Sequence, residues 1–112
     1  MQINIKSDKI EVTPSLHTYI DEKLGGLSKY IKRFDEAGEA QIWLEVARTT
    51  EHHHKGEVFR ASVDLRLPKH SLRAEEEATD LRAAIDSIEH KLKMEIEKYK
   101  TRFMEPKKGG SK

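Results

Sequence analysis

The chain predicts an α+β domain of order β-α-β-β-β-α, a four-stranded sheet with both helices packed on one face. Two segments repeat apolar residues every three or four positions, as amphipathic helices do. Between and before them lie stretches in which apolar and polar residues alternate, the period of a half-buried strand. The chain is 112 residues long and shows no internal repeat, so one core under one sheet is the expected scale.

Residues 2–6 alternate, with Ile3 and Ile5 on one side, and read as a short first strand. Thr13 can cap a helix and Pro14 suits its first turn, where no amide hydrogen bond is lost. Leu16, Ile20, Leu24, Leu27 and Ile31 then form one stripe, predicting a helix over residues 14–32. Gly25 and Gly26 interrupt it at about 1 kcal/mol each relative to alanine, so a bend or weakening is expected there.

The period then changes. Ala40, Ile42, Leu44 and Val46 face one way, with Gln41, Trp43 and Glu45 facing the other. Residues 49–56, TTEHHHKG, make a polar connection to a second clear strand, in which Phe59, Ala61, Val63, Leu65 and Leu67 alternate with polar residues. Pro68, Lys69 and His70 form a turn, and residues 71–77 supply a fourth strand, although EEEA could equally open the next helix. Leu81, Ile85, Ile88, Leu92, Ile96, Tyr99 and Phe103 mark a last helix of about six turns, capped by Thr79 or Asp80. Residues 1–104 are expected to form the domain and residues 105–112 a disordered basic tail.

Composition narrows the classes of function. Hydrophobic residues make up 36% and charged residues 37%, and there is no cysteine, which excludes disulfides and thiolate metal sites. No apolar run reaches the roughly 20 residues of a membrane span, and the N-terminus lacks an apolar signal centre. A soluble, cytoplasmic protein without a membrane partner is the plain expectation. The net charge of +1 hides a polarity: residues 1–34 balance at +2, residues 35–78 at −4 and residues 79–112 at +3. Two basic ends point to a polyanionic partner.

On a helical wheel, Lys91, Lys98 and Arg102 flank one side of the last helix's apolar stripe, and Arg82, Lys93 and Lys100 flank the other. Lys23 borders the first stripe, while Lys29, Lys32 and Arg33 point outward. Helices lying side by side would join these into a basic surface that can contact phosphates without reading bases. Solubility and i,i+4 pairing, as between Glu89 and Lys93, account for the same charges without a ligand.

Other candidate chemistry is thin. His52, His53 and His54 sit in the polar connection without a converging ligand frame or HExxH spacing, so no metal or other cofactor is expected. Trp43 falls on the outer sheet face, where a covered ring is the favoured reading. Tyr19, Tyr30 and Tyr99 lie at the core edge. Glu75, Glu76 and Glu77 point in different directions, and there is no nucleophile motif or phosphate loop, so no enzyme or small-molecule substrate is expected.

The order of motifs is more specific than any one of them. An M-x-I-x-I strand, I-E-V-T-P, D-E-K-L, L-S-K-Y and A-T-D-L-R-A-A-I-D-S-I-E-H-K-L follow one another over residues 1–103. This resembles the ribosome hibernation promoting factor and ribosome-associated inhibitor family. The resemblance implies a fold reminiscent of double-stranded RNA-binding domains. It also implies binding in the messenger and transfer RNA channel of the small ribosomal subunit, largely through ribosomal RNA, with translation blocked in stationary phase or stress and no cofactor. Family basic positions match Lys23, Lys29, Lys91, Lys98 and Lys100; Lys32, Arg33, Arg82 and Lys93 join them by helix position. One family basic position falls on Gly26, and Met94-Glu95 stands where members often carry Arg-Gln. The short chain and basic end resemble short promoting members, which lack the ribosome-pairing second domain; a monomer off the ribosome is expected. A general structured-RNA-binding stress protein and a protein-binding regulator using the sheet face and Trp43 are the other readings, with a metal-dependent enzyme using the histidine loop last.

Overall fold

The computed structural model describes residues 1–49 and 58–103. Its order is β1 (Gln2–Asp8), α1 (Pro14–Gly25), a 3-10 segment (Gly26–Ile31), α2 (Lys32–Glu36), β2 (Gln41–Thr49), β3 (Val58–Leu67), β4 (His70–Ala78) and α3 (Leu81–Phe103). The histidine run at 52–54 and the tail at 105–112 lie outside the described residues.

The strands form one sheet in the order β1-β2-β3-β4. β1 runs parallel to β2, which demands a crossover, and α1 with the segments after it provides one. The other pairs are antiparallel. Register stacks like on like: Ile5 lies opposite Leu44, Leu44 opposite Val63, and Val63 opposite Ala74. Every second residue therefore reaches the helix side, where Ile20, Leu24, Leu27, Ile85, Ile88, Leu92 and Ile96 complete the core.

Two expectations are sharpened. The first helix does not run unbroken over residues 14–32. Thr13 caps it, its Oγ1 accepting from the Leu16 amide at 3.1 Å, but the α-helix ends at Gly25. The paired glycines weaken propagation, and the chain tightens into 3-10 geometry that still buries Leu27 and Ile31. Ile31 then leaves helical geometry (φ −130°, ψ 41°) before α2 begins. The acidic run Glu75–Glu77 belongs to β4, and α3 starts only after Asp80, whose carboxylate accepts from the Arg82 amide at 3.3 Å.

Gly38, at φ 73°, turns the chain out of α2 with its amide donating to Asp35 O at 3.1 Å, a conformation that costs an L-residue about 1 kcal/mol or more.

The described residues leave Trp43 exposed rather than covered. Its ring is 41% exposed on the outer sheet face, where the Arg66 guanidinium lies 4.7 Å from its centroid. Ile42 and Leu44 are required in the core, and strand alternation forces the residue between them outward.

Candidate nucleic-acid interface

The nine candidate cations separate into groups once α3 is docked. Arg82 reaches α1: its guanidinium donates to Ser15 Oγ at 3.1 Å and lies 4.7 Å from the Tyr19 ring centroid. Lys23, one turn beyond Tyr19, sits 5.6 Å from the same centroid and 3.5 Å from Asp86. Further along the seam, Lys93 lies 5.2 Å from the Tyr30 ring centroid and Lys29 lies 5.4 Å from it. Lys23, Lys29, Arg82 and Lys93 are thus brought together along one helix–helix seam. Lys100 is seven residues beyond Lys93, hence on the same flank of α3. Lys32 and Arg33 are exposed on α2 and form no ion pair among the described residues.

Lys91 and Lys98 lie on the opposite flank. Lys91 Nζ donates to Glu76 Oε1 at 2.5 Å and to the Glu75 carbonyl at 3.1 Å, tying α3 to β4. That ammonium, with a hydrogen bond from Ser87, holds the Glu76 carboxyl below the usual carboxylate range. Lys98 faces Glu95 at 3.5 Å. The apolar stripe of α3 separates this flank from the seam, so no single patch contains all nine residues.

Inside the seam, the Tyr19 hydroxyl donates to Asp86. That hydrogen bond, then burial and the Asp86 charge, push the phenol up to about 12. The neutral phenol is the form the fold favours. Its contribution to stability is present below the unfolded value of about 10 and is lost as pH rises through 12. An ultraviolet titration of the three tyrosines is expected to show one ionising near pH 12, and Asp86→Asn to return it toward about 10. A single transition near 10 in the unsubstituted protein would contradict the contact. The Lys93 ammonium is likewise held above the usual lysine range, first by the neighbouring Tyr30 side chain.

The family model described as "Sigma 54 modulation protein / S30EA ribosomal protein" matches residues 3–104. The chain belongs to this family. Among relatives, "Ribosome hibernation promotion factor" of Lactococcus lactis is 35% identical over 105 residues, covering 92% of this chain and 51% of that one. The Deinococcus radiodurans protein of the same name is 32% identical, covering 98% of this chain and 55% of its own length. This chain spans about half the length of such relatives. Among solved structures, the "Thermus thermophilus Protein Y N-terminal domain" superposes with a TM-score of 0.65 at 25% identity, covering 88% of this chain and 99% of that one. A "ribosomal subunit interface protein from Coxiella burnetii" gives 0.71 at 20% identity, covering 90% and 99% respectively, and supports the fold.

Within this S30EA-type domain, reading the charges alone passes over Tyr19, Tyr30 and Asp86. A signal was present. Tyr19 and Tyr30 are eleven residues apart, as are Arg82 and Lys93, and eleven residues is about three helical turns. Equal spacing on two adjacent segments brings each tyrosine to a cation. The departure at Met94 leaves its side chain 48% exposed on α3, and Glu95 is occupied by Lys98.

Proposed function

We propose that the chain binds the small ribosomal subunit at its messenger and transfer RNA channel and inhibits translation by occupying it. One observation supports this most: in a domain of the S30EA family, cations from three helical segments gather on one exposed seam. Such an array grips RNA phosphates and gains affinity from counterion release, without needing base readout. Lys32, Arg33 and Lys100 extend the grip, and Lys91 and Lys98 add contacts at its far flank where their carboxylate partners yield to phosphate. Inhibition is steric, in the cytoplasm of stationary or stressed cells, with no cofactor and no chemical step. The protein is a monomer when off the ribosome.

The test is a sucrose-gradient profile of stationary-phase extract, probed for this protein in each fraction. Comigration with small subunits, and tighter binding to them than to an unrelated duplex RNA, is the expected result. Equal affinity for both would favour a general structured-RNA-binding stress protein.

Gly26 offers a gain-of-binding prediction. It is exposed in right-handed helical geometry (φ −64°, ψ −16°), and a Cβ there would meet no atom within 4 Å. Gly26→Arg is expected to raise unfolding stability by about 0.4–1 kcal/mol and to steepen the salt dependence of subunit binding by about one slope unit. Thermal unfolding and binding across a salt series check the two effects.

A further inference from the structure

We propose that Tyr19 and Tyr30 are positioning residues, whose rings fix the seam's cations as two pairs before RNA arrives. This rests on the ribosomal reading of the same seam. Each ring serves two cations from different segments: Lys23 and Arg82 at Tyr19, at 5.6 and 4.7 Å, and Lys29 and Lys93 at Tyr30, at 5.4 and 5.2 Å. Two cations drawn to one spot repel each other, and free lysine and arginine side chains have many rotamers to lose on binding. The negative quadrupole face of an aromatic ring offsets the repulsion and limits the rotamers sampled. Asp86 assists at one site only, accepting from the Tyr19 hydroxyl while also pairing with Lys23. Both tyrosines also pack against the core, so a space-filling role is the competing account. The eleven residues from Arg82 to Lys93 set the two pairs about 16 Å apart along α3, a fixed span for a folded RNA backbone.

The experiment compares Tyr19→Leu/Tyr30→Leu with Tyr19→Phe/Tyr30→Phe in the full chain. Phenylalanine keeps the ring and loses only the hydroxyl; leucine keeps apolar filling and loses the ring. Proton NMR of the Arg82 δ-methylene and Lys93 ε-methylene reads proximity to a ring through upfield shifts. Affinity for intact small subunits reads the consequence. The expected result is upfield shifts and affinity retained within about threefold in the phenylalanine pair, with both lost, affinity by about tenfold, in the leucine pair. Unshifted methylenes in the unsubstituted protein would overturn the proposal, as would leucine and phenylalanine pairs that bind alike. If the leucine pair fails to fold, Tyr30→Leu against Tyr30→Phe makes the same comparison at one ring. Should the unsubstituted protein not bind small subunits, the ribosomal reading fails by itself, and the methylene shifts still decide whether the rings hold these cations.

Discussion

Changing Lys29, Arg82 and Lys93 together to glutamate is expected to weaken binding to intact small subunits by about a hundredfold or more at physiological salt. These three cations come from the 3-10 segment and α3 and meet along one seam, so their loss empties the centre of the proposed grip. Each removed phosphate contact should also lower the slope of log affinity against log salt by about one. A binding series from low to high salt measures both quantities. The opposite flank supplies the contrast. Lys91→Glu would set a new carboxylate beside Glu76 and the Glu75 carbonyl, so part of its effect is lost docking of α3 on β4. Its unfolding midpoint should fall, whereas the seam variant, altered at residues outside the core and losing the exposed Arg82–Ser15 contact, should fall less. A seam variant that keeps its affinity and its salt slope would remove the seam from the mechanism.

The second large effect is on folding. Leu92 is fully buried on α3 among residues that face the sheet, and Leu92→Ala is expected to cost about 2–5 kcal/mol. Domains of this size are held by only about 5–15 kcal/mol, so the midpoint should drop by on the order of 10–30 °C. Met94, two residues along but 48% exposed, should tolerate alanine within about 0.5 kcal/mol. Urea or thermal unfolding of the pair separates the core stripe from the exposed side of the same helix. Similar losses at both positions would mean that α3 is docked differently.

Period and capping made most of the fold legible. The stripes of α1 and α3 and the alternation of β2 and β3 are local signals, and the core uses the residues they point to. β4 was ambiguous because its fourth inward position is Glu76, a carboxylate where alternation calls for an apolar residue. Its partners, Lys91 and Ser87, arrive from a helix that lies later in the chain, and no local pattern announces them. The same blindness affected the site. Wheel positions assigned Lys93 and Lys91 to different flanks of α3, but docking decides that one flank meets Tyr30 and the other meets a carboxylate. Trp43 shows the converse: alternation placed its ring outward, yet the arginine that lies against it comes from β3, directly beside it in the sheet.

The most direct trial is competition: small subunits are loaded with messenger and initiator transfer RNA, and this protein is titrated against them. Channel occupancy predicts that the loaded subunits exclude it, with apparent affinity falling in proportion to their filling, and that excess protein in turn blocks loading. Undiminished binding to filled subunits, with all three components sedimenting together, would contradict the account.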